Sequence, residues 1–137
     1  QKMSKSYANF ISLRELPADV EAKVRKMPTD PARVRRTDPG NPDVCPVWQL
    51  HEVYSDEATK QWVQQGCRSA GIGCIECKQP VIDGINAELA PMRERAREFE
   101  ENPDTIRSIL ERGAETASAI AEDTLRDVRA AMGLSYR

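Results

Sequence analysis

Ile82-Asp83-Gly84-Ile85-Asn86-Ala87-Glu88-Leu89-Ala90-Pro91-Met92-Arg93-Glu94-Arg95-Ala96-Arg97-Glu98-Phe99 decides the fold class. Its apolar residues Ile82, Ile85, Leu89, Met92, Ala96 and Phe99 alternate steps of three and four, which lines one face of an α-helix. Pro91 interrupts the chemistry but not the phase. It is expected to bend the helix or remove one backbone bond without ending it. Arg93, Arg95 and Arg97 interleave with Glu94 and Glu98, the pattern of an exposed face of helical ion pairs.

The neighbouring segments extend this reading. Asn102-Pro103-Asp104 is an N-cap followed by proline at the first helical position. Ile106, Leu110, Gly113, Ala117, Ile120, Leu125, Val128 and Met132 then give the next helix its stripe, with Gly133 as its C-cap. Two long helices joined by so short a turn are expected to pack as an antiparallel hairpin, Gly113, Ala114, Ala117 and Ala121 allowing close approach. The stripe reads as core rather than as a ligand site.

Upstream, Leu16, Val20, Val24 and Met27 fall at helical spacing, with Pro17 suited to a first turn. Pro28, Pro31, Pro39, Pro42 and Pro46 punctuate an irregular stretch in which Asp38-Pro39-Gly40 reads as a turn. Val47 to Tyr54 predicts two helical turns, and Ser55 or Asp56 is a cap for a short helix reaching Gln65. The fold class is therefore all-α. Residues 1–28 read as one segment, 29–46 as a connector between domains, and 47–137 as a helical domain.

Composition narrows the function. The chain has 137 residues with 20 basic and 22 acidic side chains, a net charge of −2, so no global positive field advertises a nucleic-acid partner. Any RNA contact must be local. No apolar run has membrane-spanning length and no signal-peptide pattern occurs, which leads to the expectation of a soluble, cytoplasmic chain.

Cys45, Cys67, Cys74 and Cys77 are spaced C-x21-C-x6-C-x2-C. Four thiols with one Cys-x-x-Cys suggest one four-thiolate site. Two divided pairs are the commoner zinc pattern, each making its own knuckle, whereas here three thiols cluster beside Gly66, Gly71 and Gly73. Such glycines let the backbone curl around a bulky iron-sulfur cluster and aim amide N–H groups at its sulfurs. Spacing alone leaves zinc, an iron-sulfur centre, and unliganded or redox thiols all open. Two disulfides do not suit a chain without secretory features.

The first nine residues, Gln1-Lys2-Met3-Ser4-Lys5-Ser6-Tyr7-Ala8-Asn9, hold a second signal. Lys-Met-Ser-Lys-Ser resembles the mobile-loop signature of class I aminoacyl-tRNA synthetases. Departing pyrophosphate needs flexible ammonium groups and hydroxyl donors on one short loop, which Lys2, Lys5, Ser4 and Ser6 would supply. With Thr29-Asp30-Pro31-Ala32-Arg33-Val34-Arg35, Asp38-Pro39-Gly40-Asn41-Pro42 and Gly71-Ile72-Gly73-Cys74, the chain is similar to the bacterial tryptophanyl-tRNA synthetases from the signature essentially to its C-terminus.

That resemblance implies a two-step reaction: tryptophan attacks the α-phosphate of magnesium-bound ATP, then the tRNA(Trp) terminal adenosine accepts the aminoacyl group. It implies an ATP site at Lys2, Met3, Ser4, Lys5 and Ser6, with Lys2 and Lys5 catalytic. It makes residues 1–28 the tail of a Rossmann-type catalytic domain and the helical part an anticodon-binding domain. One subgroup holds a 4Fe-4S cluster there, so Cys45, Cys67, Cys74 and Cys77 would be its ligands, pinning the connector to the long helix beginning near Cys74. Many family members lack these cysteines, so such a cluster is not needed for the chemistry itself.

The other class I signature, His-x-Gly-His, has no counterpart here, since the sole histidine is His51. The chain is accordingly expected to be a C-terminal fragment, inactive alone, of a homodimeric enzyme. His51 reads as a partly buried helix residue. Anticodon bases are read by stacking and edge hydrogen bonds, which makes Arg33, Arg35, Arg36, Arg68 and Lys78 candidate tRNA contacts, with Trp48 a further one. A zinc-stabilised helical interaction module and an electron-transfer protein are the other functional classes. The first would bind zinc without sulfide and ignore tRNA; the second would need a reversible potential and an electron-accepting partner.

Overall fold

The computed structural model describes residues 4–134, so Lys2 and Met3 lie outside the described residues. A 3-10 turn over Lys5–Tyr7 is followed by α1 (Pro17–Lys26), a second 3-10 turn (Pro42–Val44), α2 (Pro46–Tyr54), α3 (Glu57–Arg68), α4 (Cys74–Glu101) and α5 (Pro103–Ala131). No strand occurs among the described residues, as the periodicity predicts. The expected Rossmann tail contributes no sheet here. None of the described helices is long and apolar enough to cross a membrane.

The chain divides into two units, one ending at Glu94 and the other beginning at Arg95. The first has a core of Val20 and Val24 from α1, Val47 from α2, and Val81, Ile82, Ile85 and Leu89 from α4. Each fully buried aliphatic side chain of this kind contributes about 1.5–3 kcal/mol by leaving water. Leu16, read as part of the α1 stripe, is instead exposed at the cap position, while Met27 packs at the edge of the core. Gly84 lets α2 come close: a Cβ there would lie 3.0 Å from both the Cβ and the carbonyl oxygen of Tyr54.

Polar side chains fasten the segment before α1 to this core. Lys23 Nζ pairs with Glu15 Oε1 at 2.6 Å and donates to the Phe10 carbonyl at 2.9 Å. Arg93, expected on an exposed face, is half-buried, donating to the Glu15 carbonyl at 3.0 Å and the Asn86 carbonyl at 2.9 Å. Its fork reaches two backbone acceptors that an exposed ion pair would leave unused.

α4 runs through both Pro80 and Pro91 without ending, as the in-phase seam predicts for Pro91. Asp56 caps α3, accepting from Thr59 N at 2.8 Å. Asn102 precedes α5, but its side chain makes no cap bond to that helix; its Nδ2 donates to the Glu98 carbonyl at 2.9 Å and so satisfies the end of α4. Gly133 ends α5 at φ +68°, with Leu134 N donating back to the Arg129 carbonyl at 2.8 Å, the αL closure predicted for it.

The second unit departs from expectation. Every described residue of α5 is exposed, including Leu110 and Ile120 at 66% each, so the stripe read as core is not buried in this chain. A Cβ on Gly113 would meet nothing within 4 Å. Periodicity identifies which face of a helix is apolar, not what covers it.

Candidate metal centre and signature turn

The four cysteines come from three helix ends. Cys45 follows the turn Pro42–Val44 and caps α2, Cys67 lies in the last turn of α3, and Cys74 and Cys77 occupy the first turn of α4. All four are free and partly buried. The loop from α3 to α4 folds back on itself: Gly71 N and Ile72 N both donate to the Gly66 carbonyl, at 2.8 and 3.2 Å. Gly66 has no room for a side chain, since a Cβ there would sit 2.7 Å from Ile72 Cγ2. Ile72 is thereby buried, and the chain reverses between Cys67 and Cys74.

The connector closes the other side. Asp30 accepts from Ala32 N at 2.9 Å and Asn41 N at 2.7 Å, and these two hydrogen bonds, Asn41 first, hold its carboxyl below the ordinary value. Gly40 N donates to the Cys67 carbonyl at 2.9 Å, and a Cβ on Gly40 would fall 2.7 Å from Cys67 Sγ. The turn predicted at Asp38-Pro39-Gly40 falls earlier, closed by Asp38 N donating to the Arg35 carbonyl at 3.1 Å, and Gly40 beyond it is where backbone presses against a cysteine sulfur.

Arg33 lies between connector and loop. Its Nη2 donates to the Ile72 carbonyl at 2.6 Å and to the Arg36 carbonyl at 2.9 Å, while its Nε is buried without a hydrogen-bond partner. Burial pushes the Cys67 thiol up, and the Arg33 charge pulls against it. The Cys77 thiol is pushed up to about 12, by burial first and then by Cys45, Cys67 and Cys74. Negative charge on the other three cysteines thus opposes ionisation of Cys77. Among the described residues, no three or more His, Cys, Asp or Glu side chains gather tightly enough to hold one metal ion.

Partial burial on a helix understates the place of His51. It is fully buried, with Nε2 3.4 Å from Cys77 Sγ and Nδ1 2.8 Å from Ser55 Oγ. Burial lowers its pKa, and the contact with Cys77 opposes that shift. The signal for its burial was present: Val47 and His51 are four apart on the buried stripe of α2.

Lys78 also differs from expectation. It is 3% exposed, and its Nζ donates to the carbonyls of Arg25 and Met27, each at 2.7 Å, closing the C-terminal end of α1. An ammonium occupied in this way does not face an RNA strand. Its position in phase with Ile82, Ile85 and Leu89 on α4 marked it as buried.

Of the other cationic candidates, Arg35, Arg36 and Arg68 are exposed and Arg33 is half-buried. Arg33, Val34, Arg35 and Arg36 line one side of a cavity of about 430 Å³ whose other side is Gly73, Cys74, Ile75 and Glu76. Arg36 Nη2 pairs with Glu76 Oε2 at 3.0 Å, and Val34 is 84% exposed. Arg68 does not line this cavity; its Nη2 lies 3.3 Å from Asp43 Oδ2. Trp48 is half-buried with its ring centroid 6.2 Å from that of His51.

The described part of the signature forms a compact turn. Ser4 Oγ accepts from Ser6 N at 3.2 Å, Asn9 Oδ1 accepts from Ser4 N at 2.7 Å, and Ala8 takes a left-handed conformation at φ 50°. Lys5 and Ser6 are exposed. The side chain of Asn9 braces the turn while leaving the Lys5 ammonium stem in solvent.

Residues 1–90 match the family described as class I tRNA synthetases (W and Y). Over 136 residues the chain is 64% identical to a tryptophan–tRNA ligase of Ralstonia nicotianae, covering 99% of this chain and 34% of the relative. A tryptophan–tRNA ligase of Thermotoga maritima is 41% identical over 137 residues, covering 99% of this chain and 42% of the relative. A crystal structure of tryptophanyl-tRNA synthetase from Campylobacter jejuni, complexed with ADP and tryptophan, superposes with a TM-score of 0.79 at 26% identity, covering 97% of this chain and 41% of that one. The chain thus spans between a third and a half of the length of these proteins.

Proposed function

Because the chain belongs to the class I tRNA synthetases for tryptophan and tyrosine, we propose that it is the part of a tryptophan–tRNA ligase that carries the signature loop and the anticodon-facing helices. The observation that carries this is the 64% identity over 136 residues to a tryptophan–tRNA ligase. The reaction joins tryptophan to tRNA(Trp) at the expense of ATP. Lys5, with Lys2, Ser4 and Ser6, stabilises the charge that develops on pyrophosphate as it leaves the α-phosphate. The Ser4–Asn9 brace supports that role by fixing the turn while the cation stays free to swing.

In this reading Cys45, Cys67, Cys74 and Cys77 hold a 4Fe-4S cluster. Two features of the chain fit it. Buried thiols that raise one another's pKa ionise together only beside a compensating cationic centre. Arg33 Nε is a buried donor with nothing to bond, suited to an anionic, sulfide-rich group. When bound, the cluster cross-links the connector to the start of α4.

The exposed side chains of Arg35 and Arg36 beside the cavity at Gly73–Glu76 are then the anticodon-facing surface, with Arg68 as a further cation. Phosphate contacts come from the guanidinium groups, while an unstacked base can lie against Val34 or Ile75. The Arg36–Glu76 pair must open for Arg36 to take part.

The reading is tested by joining this chain to the upstream part that its relatives possess and measuring tryptophan-dependent exchange of pyrophosphate into ATP. The expected result is exchange that Lys5→Ala reduces by about two orders of magnitude or more. No exchange, or exchange indifferent to Lys5→Ala, contradicts it.

A further inference from the structure

Resting on the four-thiolate reading above, we propose that His51 is a positioning residue of the centre: its Nε2–H donates to the sulfur of Cys77, and the Ser55 hydroxyl holds the ring in the tautomer that can do so. The distances are 3.4 Å from Nε2 to Cys77 Sγ and 2.8 Å from Nδ1 to Ser55 Oγ. A metal-bound thiolate has lost its proton and can only accept. The nitrogen facing it must therefore bear the hydrogen, and in a neutral imidazole the other nitrogen is then an acceptor. The Ser55 hydroxyl is the donor that fills it.

The helix makes this arrangement rigid. Ser55 follows the last residue of α2, four positions after His51, and its backbone N–H donates to the His51 carbonyl at 3.0 Å. The His51 backbone and the Nδ1 side of its ring are thus anchored to one helix end, and the ring is fully buried with Trp48 beside it. Cys77 lies on a different helix, α4. The contact lets α2 fix the direction of a ligand sulfur that α4 supplies, the task that partners of metal ligands perform elsewhere.

Two effects follow for a bound centre. A donor on a ligand sulfur draws off negative charge and favours the reduced state, raising the reduction potential. It also holds the sulfur against dissociation. A histidine that merely fills the core would do neither, so substitutions that preserve packing separate the two roles. His51→Gln keeps an N–H at a similar reach, whereas His51→Leu keeps apolar volume and removes the donor.

The experiment reconstitutes the 137-residue chain and its variants with ferrous iron and sulfide without oxygen, then measures the reduction potential and the chelator concentration that strips the iron. His51→Leu is expected to shift the potential to more negative values and to release iron at about ten- to a hundred-fold less chelator. His51→Gln should restore both toward the wild type, and Ser55→Ala should shift the potential in the same direction by less. Far-UV circular dichroism reports folding, and if His51→Leu fails to fold, His51→Gln and Ser55→Ala still decide the matter through the potential. A potential unmoved in both donor-removing and tautomer-releasing variants overturns the role of His51 alone. A wild-type chain that takes up no iron and sulfide overturns the four-thiolate reading, and this inference with it.

Discussion

Arg33 Nη2 donates to the Ile72 carbonyl oxygen at 2.6 Å, across 39 residues of sequence. This one bond ties the proline-rich connector to the loop that delivers Cys74, and the same guanidinium also caps the Arg36 carbonyl. Arg33→Lys cannot reproduce two bonds from a planar fork. Denaturant unfolding of the metal-free chain should show a loss of about 1–3 kcal/mol, the cost of leaving a buried acceptor unpaired. A loss within about 0.5 kcal/mol would mean the fork is dispensable.

Glycines at positions 40 and 113 should respond in opposite directions. Gly40→Ala places a methyl 2.7 Å from Cys67 Sγ and 3.2 Å from Arg33 Cδ, so the sulfur must shift. Iron and sulfide uptake should fall sharply, with a destabilisation of about 1–3 kcal/mol. Gly113→Ala meets nothing within 4 Å and removes backbone freedom from a helix interior, so α5 should gain about 0.5–1 kcal/mol. Circular dichroism during thermal unfolding reads the second effect.

Lys78 and Arg35 differ in the same way. Lys78→Met leaves the Arg25 and Met27 carbonyls without their donor and should cost about 1–3 kcal/mol in unfolding measurements. Arg35→Ala, at an exposed position, should change stability by no more than about 0.5 kcal/mol. In filter binding with tRNA(Trp), Arg35→Ala should weaken binding and reduce its salt dependence by about one phosphate contact. Unaltered salt dependence would remove Arg35 from the RNA surface.

Asp30 gives a pH signature. Hydrogen bonds from Asn41 N and then Ala32 N hold its pKa below the ordinary 3.8, so the folded chain binds the proton less readily than the unfolded one. That contribution is fully present above the unfolded pKa and is lost as pH falls through the folded one. Asp30→Asn should therefore be least stable relative to wild type near neutrality, and the gap should close as pH drops below 3.8. A gap that stayed constant with pH would show that the carboxylate charge is not what stabilises the connector.

Helix content and the core face of α4 were legible because Ile82, Ile85 and Leu89 repeat at a period that admits one structure. The cysteine spacing and the signature pentapeptide marked the two places to which the proposed chemistry is assigned. Side-chain partners were less legible. Lys78 and His51 lie in phase with buried stripes, yet charge suggested a surface role for Lys78 and only partial burial was expected of His51; only the structure supplies the carbonyls and the sulfur that they meet. Asn102 holds the N-cap position of α5 as expected, but its side chain bonds to α4, because an asparagine between two helix ends can satisfy either. The stripe of α5 was read as core because its sequence shows an apolar face, but no residue of α5 is buried.

The most direct measurement is the iron, sulfide and zinc content of the chain purified without oxygen, with its visible absorption, beside a Cys74→Ser variant. The account predicts about four irons and four sulfides per chain with broad visible absorption, lost in the variant. One zinc per chain with no sulfide, or no metal at all, would contradict it.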